Sequence, residues 1–278
     1  MKKWNMIVDV SRCNNCYNCF VATKDEYVDN EYPGYTAPQP LHGHEWVGIE
    51  GTESGQWPMV ETAFRPIMCN HCDDAPCIKA AKDEAVKQRY DGIVIIDPEL
   101  AKGQKQIVDA CPYGAVYWNE ELQLPQAWPF DAHLLDRGWE KTKLEKVCPT
   151  DVFRSVKVSD EEMQTIAAEE ELSTLESLDG AKPRVYYKNS HRFDTGFIGG
   201  TVISENEGVE DCVEGAAVVA KNKDGEIGRA ETDAFGDFKI GKIQKNLGAV
   251  TLSIEHESGS RSMDIEFGES IYLGSVTI

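Results

Sequence analysis

No apolar run in this sequence approaches the roughly 20 residues that a membrane-spanning helix needs; stretches such as Ile93-Val94-Ile95-Ile96 are far shorter. The start, Met1-Lys2-Lys3-Trp4-Asn5-Met6, has neither the apolar core of a secretory signal nor a twin arginine, so no export signal is expected there. Basic residues are scarce. The 28 Lys and Arg stand against 48 Asp and Glu, a net charge of −20 that argues against a nucleic-acid backbone as partner. No nucleophile–base motif and no Gly-rich phosphate loop stands out, so no catalytic residue is assigned. What remains is 278 residues with 41% apolar and 27% charged side chains, enough for about two globular domains.

Cysteine is where the sequence is informative. There are nine, at positions 13, 16, 19, 69, 72, 77, 111, 148 and 212. A chain of this length is no small disulfide scaffold, and an odd count excludes complete pairing. Cys13-x2-Cys16-x2-Cys19 follows the apolar segment Met6–Val10 and matches the first three positions of the bacterial ferredoxin run, C-x2-C-x2-C-x3-C-P, with Thr23 in the fourth place. Cys69-x2-Cys72-x4-Cys77 is a second triplet. Two remote Cys-Pro pairs, Cys111-Pro112 and Cys148-Pro149, complete two sets of four. Zinc is the competing reading, but zinc sites usually arrive as two C-x2-C pairs or as Cys/His mixtures, and three ligands in seven residues suit a cubane better. His71, inside the second triplet, is expected to orient a neighbour by hydrogen bonding or to sit at the surface, with ligation as the alternative. Cys212 stands apart and is expected to be a small buried hydrophobe. His42 and His44, in a Gly-rich loop, are expected at the surface or an interface.

The texture changes near residue 158. Residues 159–278 carry 11 basic and 24 acidic side chains, net −13 of the −20. Ser159 with Glu162 reads as a capping box, and Met163, Ile166 and Ala167 recur at helical spacing, so 159–180 is expected as a helix. Beyond Arg184 come short β-rich runs: Val185–Tyr187, Gly199–Ser204, Ala216–Ala220 and Val250–Ile254. Lys223-Asp224-Gly225 is a hairpin-turn signal. The expected fold class is α+β: a ferredoxin-like iron–sulfur domain with inserts (about 30–65 and 120–145) over 1–158, a helical linker over 159–183, and an antiparallel β-sandwich or barrel over 184–278. Glu214–Val218 followed by Thr232–Phe238 resembles the transthyretin-like or carboxypeptidase-regulatory β repeat.

The motifs Tyr32-Pro33-Gly34-Tyr35-Thr36-Ala37, His42-Gly43-His44, Cys69-x-His71-Cys72, Asp91-Gly92-Ile93-Val94, Cys111-Pro112-Tyr113-Gly114, Ala132-His133-Leu134-Leu135 and Lys182-Pro183-Arg184-Val185-Tyr186-Tyr187-Lys188-Asn189 carry a resemblance. The chain resembles the ferredoxin-type electron-transfer subunits of the dimethyl-sulfoxide-reductase class of molybdopterin enzymes. Within that class it is most similar to the small-subunit family of pyrogallol–phloroglucinol transhydroxylases, along essentially its whole length and including the added β domain. The resemblance implies two 4Fe–4S clusters. One would be held by Cys13, Cys16, Cys19 and Cys148 and lie nearest the catalytic partner, the other by Cys69, Cys72, Cys77 and Cys111. It also implies a large catalytic subunit bearing a molybdenum or tungsten bis-pterin cofactor, in a heterodimer or larger assembly. That cofactor would do the hard chemistry.

The departure from the family is as informative as the match. A further cluster of the family uses four positions that here read Thr23, Trp128, Asp131 and Leu144. All four are lost together, which implies deletion of one whole cluster, with Trp128 and Leu144 filling the space. Asp131 alone keeps a side chain able to hold iron. The lost cluster is the middle link of the respiratory versions. Its absence favours a polyphenol transhydroxylase, in which one aromatic gains a hydroxyl and another loses one with no net electron exchange. The alternatives are an iron–sulfur subunit of an aromatic dehydroxylase or anaerobic hydroxylase, or, in a different class, a stand-alone ferredoxin-like carrier or structural module. The two long inserts are expected to supply surface for docking on a partner. A cytoplasmic location is expected, with co-export beside a signal-bearing partner as the alternative.

Overall fold

The structure is a computed structural model that describes residues 1–175, 180–206 and 208–278. It divides into two compact units, one formed by Met1–Gly51 and Phe64–Ser190, the other by Thr52–Ala63 and His191–Ile278. In chain order the elements of the first stretch are β1 (Lys3–Asp9), α1 (Asn18–Tyr27), β2 (Val47–Gln56), β3 (Met59–Met68), α2 (Pro76–Ala80), β4 (Val86–Gln88), β5 (Val94–Ile96), α3 (Gln106–Asp109), β6 (Tyr117–Asn119), β7 (Leu124–Gln126), α4 (Ala132–Leu135), α5 (Lys143–Val147), β8 (Phe153–Val158), α6 (Asp160–Glu169) and β9 (Val185–Lys188). Helices are short and strands many, as a domain of cysteine-bearing loops requires.

β1 is the spine of the first unit. Its run Met6-Ile7-Val8 is buried throughout because it is the middle strand of a three-stranded sheet, antiparallel to β8 and parallel to β9. The pairing with β9 moves the boundary expected at residue 184. Val185 and Tyr187 face inward, the Tyr187 hydroxyl donates to the Pro66 carbonyl at 3.1 Å, and Val185 lies opposite Met6. The segment 159–183 is therefore no linker between domains. It carries the chain from one edge of this sheet to the other, as two strands flanking a common neighbour require.

The capping box forms as expected: the Glu162 N–H donates to Ser159 Oγ at 3.2 Å and the Ser159 N–H to Glu162 Oε2 at 2.7 Å. The helix is shorter than expected. It stops at Glu169, and Ser173 pairs with Tyr187 instead of continuing it. The end of the expected helix, at 176–179, lies outside the described residues. Much of the expected insert at 120–145 is core: Leu124, Trp128, Phe130, Ala132, His133 and Leu134 are buried, while 120–123 and 136–138 are exposed.

The second unit holds α7 (His191–Asp194), β10 (Thr195–Asn206), β11 (Val209–Cys212), β12 (Ala217–Asn222), β13 (Gly225–Glu231), β14 (Asp237–Gln244), β15 (Gly248–His256), β16 (Gly259–Phe267) and β17 (Ile271–Thr277). One four-stranded sheet runs β11-β10-β14 with β17 parallel to β10; the other runs β13-β12-β15-β16. Neither closes into a barrel. Alternation along the strands directs Ile198, Val202, Val218, Ala220, Phe238, Ile240, Val250, Leu252 and Ile254 into one apolar cluster. The Lys223-Asp224 turn joins β12 to β13, as expected. Cys212 is exposed rather than buried, because the inward place at this point of the chain is taken by its neighbour Val213. Among the described residues no helix is long and apolar enough to cross a membrane.

Candidate iron–sulfur sites

The first triplet sits on a loop that ordinary backbone geometry would not form. A short turn at Val10–Arg12, capped by Asp9, delivers Cys13. Asn15 and Tyr17 then take left-handed conformations (φ 60° and 59°), reversing the chain on either side of Cys16. Cys19 lies in the first turn of α1. Cys148 arrives from the far side at the end of α5, its N–H bonded to the Leu144 carbonyl. All four cysteines line one hollow, together with Ile49, Pro66, Val152 and Phe153. The Val152 N–H points at Cys148 Sγ at 3.3 Å. Burial first, with the nearby Cys13, Cys16 and Cys148, pushes the Cys19 thiol up to about 12; burial, Cys148 and Cys16 likewise raise Cys13.

The second set converges in the same way. Pro76 opens α2 and puts Cys77 on its first turn, while Cys111 follows α3. Burial comes first in raising Cys69 well above the usual thiol value, Cys72 to about 12 and Cys77 to about 11. Their mutual proximity, with Cys111, adds to each shift. Four thiolates crowded away from water repel one another, so only a strongly cationic group makes either set stable in its ionised form. Two sets of four cysteines, the first with the C-x2-C-x2-C spacing of ferredoxins, fit iron–sulfur clusters.

Of the two placements expected for His71 the structure takes the hydrogen-bonded one: the ring is buried, not at the surface. Its Nδ1 accepts the Val94 N–H at 3.1 Å, and burial pushes its pKa down to about 3, so the ring is neutral with its proton on Nε2. That nitrogen has no hydrogen-bond partner among the described residues, and the ring stands edge-on to Phe130 and Trp128. His44 is buried too, bonded through Nε2 to the Trp118 carbonyl, whereas His42 is exposed.

The four positions that the resemblance implies belonged to a lost cluster are all interior: Thr23 4%, Trp128 0%, Asp131 1% and Leu144 1% exposed. Thr23 Oγ1 donates to the Cys19 carbonyl. Asp131 Oδ1 accepts from the Tyr27 hydroxyl at 2.7 Å and from Trp128 Nε1 at 3.0 Å; Oδ2 accepts from the Lys143 N–H at 2.7 Å. Its oxygens are engaged by protein donors, so the iron-holding role left open for it does not fit. α1, bearing Thr23, packs on α5, bearing Leu144.

Sequence reasoning missed Tyr27, eight residues and two turns after Cys19 on the same helix face, although that spacing was readable. It also missed Arg184, buried beside the second set. Arg184 donates to Asp73 (2.5 and 2.8 Å), Asp160 (2.6 Å) and Asn5 (3.0 Å), tying the loop after Cys72 to β1 and α6.

Comparison with known proteins agrees with this chemistry. The family described as a 4Fe-4S dicluster domain matches residues 60–158. The pyrogallol hydroxytransferase small subunit of Pelobacter acidigallici is 39% identical over the whole of both chains. A tetrathionate reductase subunit of Salmonella typhimurium is 28% identical over 66% of this chain and 72% of its own. The arsenate respiratory reductase iron–sulfur subunit of a Shewanella species is 29% identical over 48% and 52%.

Proposed function

Because this chain belongs to the iron–sulfur subunit family that includes the pyrogallol hydroxytransferase small subunit, we propose that it is the non-catalytic electron-transfer subunit of a polyphenol transhydroxylase. In this reading Cys13, Cys16, Cys19 and Cys148 hold one 4Fe–4S cluster and Cys69, Cys72, Cys77 and Cys111 a second. The partner is a large subunit carrying a molybdenum or tungsten bis-pterin cofactor. Such clusters supply one-electron redox capacity when bound. The chain's own contribution is to ligate them, to aim backbone N–H groups such as that of Val152 at their sulfurs, and to exclude water from the second set. The two sheets of the second unit are read as a carboxypeptidase-regulatory-like sandwich, in keeping with their shared apolar cluster.

The observation that carries the proposal is the contrast between eight converging thiols and the four positions read as the absent third set, whose side chains are buried, with Thr23, Trp128 and Asp131 hydrogen-bonded to protein groups. A subunit interrupted in the middle suits a reaction that exchanges no electrons with the outside. Turnover of the purified complex is expected to convert one polyphenol isomer into another without net consumption of reductant or oxidant. Stoichiometric consumption of either would instead support the dehydroxylase or hydroxylase reading. A stable, redox-active chain purified alone, with no partner, would support the stand-alone carrier.

A further inference from the structure

We infer that Asp131 sets the redox poise of both cysteine sites, acting as a fixed buried negative charge whose hydrogen-bond partners lead to both sets. The inference rests on the two-cluster reading above. Asp131 is 1% exposed, and burial raises its pKa above the ordinary carboxylate value, but its three hydrogen-bond partners are all donors, which oppose that rise and leave neither oxygen needing a proton. None of the three is a cationic side chain. The nearby Lys143 ammonium is turned to Asp25 and Glu26 instead, and the His133 ring is bonded to Glu26.

Each partner leads to a cysteine. Tyr27 is on α1 with Cys19. Lys143 opens α5, which ends at Cys148. Trp128 lies edge-on to His71, which sits between Cys69 and Cys72. The backbone is held in an uncommon conformation to present this carboxylate: Phe130 and Asp131 are consecutive left-handed residues, with φ 57° and 52°. A buried charge is weakly screened, so its field acts on metal groups held by the elements that carry its partners. Negative charge opposes the arrival of an electron, and cluster potentials follow local net charge. Asp131 therefore lowers both midpoint potentials. It is a positioning and tuning residue, not a ligand.

The test is an EPR-monitored redox titration of the full-length, cluster-loaded chain and three variants. Asp131→Asn, which removes the charge and keeps the shape, is expected to raise the reduced-to-oxidised ratio of both sites at fixed poise at least threefold, about 28 mV for a one-electron couple at 59 mV per decade. Asp131→Glu keeps the charge and is expected to leave the potentials near native. Asp131→Ser, a smaller neutral replacement, is expected to raise them as Asp131→Asn does. A purely structural role predicts that Asn and Glu disturb the potentials alike, and that result overturns the inference. So do intact clusters with unmoved potentials in Asp131→Asn. Where Asp131→Asn fails to load, Asp131→Ser decides: an upward shift supports the inference, and an unmoved or lower potential overturns it. Native protein lacking iron and sulfide removes the two-cluster reading and this inference together.

Discussion

Replacing Cys72 with Ser is expected to lower the bound iron from about eight to about four atoms per chain and to destabilise the first unit severely. Cys72 is buried, and its thiol is raised to about 12 by burial and by Cys77 and Cys111. The apo set is thus three or four protonated thiols around space meant for a cation. Structural metal sites contribute on the order of 10 kcal/mol to the folded state, because the site does not exist in the unfolded chain. Losing one of four ligands forfeits several kcal/mol of that. Iron analysis together with chemical denaturation, followed through the visible absorbance of the clusters, checks this. Cys212→Ser is the control: its side chain is exposed on β11, and its iron content should equal the native value. A Cys72→Ser protein with full iron and native stability would refute the ligand assignment.

Trp128→Ala is expected to cost about 3–5 kcal/mol, the range for emptying a fully buried aromatic site. Trp128 is wholly buried and packs against Phe130, with ring centroids 4.9 Å apart. The same change removes a donor from Asp131, which adds about 1–3 kcal/mol where the acceptor stays dry. Trp128→Phe separates the two effects, retaining most of the ring and losing only the N–H. With two compact units in the chain, the measurement must report on the first unit alone, and cluster absorbance does so. A loss below about 1 kcal/mol for Trp128→Ala would mean that this region is not a packed interior.

What could be read in the sequence was what local pattern determines. The triplets and Cys-Pro pairs were legible because ligand spacing is a local property. β1 was legible because Met6-Ile7-Val8 is a continuous apolar run, and α6 because its start is written in Ser159 and Glu162. The pairing of β9 with β1 was not legible: Val185-Tyr186-Tyr187-Lys188 alternates like any strand, and its partner is chosen by an apolar face contributed by distant residues. Beyond Trp128, whose filling role was expected, the burial of 129–134 was hidden by Asp131 and His133, polar residues that look like loop until their donors and acceptors are found elsewhere in the chain. Which of its two expected placements His71 takes was hidden for the same reason: its Nδ1 accepts from the Val94 N–H, 23 residues away. Cys212 failed in the opposite direction, since apolar character says nothing about which of two adjacent strand residues faces inward.

The central claim is a count of two. Iron and acid-labile sulfide analysis of the purified chain in its complex, with low-temperature EPR of the fully reduced state, measures it directly. About eight iron, about eight sulfide and two spin systems are predicted from this subunit. About twelve of each with three spin systems, or zinc in place of iron, would contradict it.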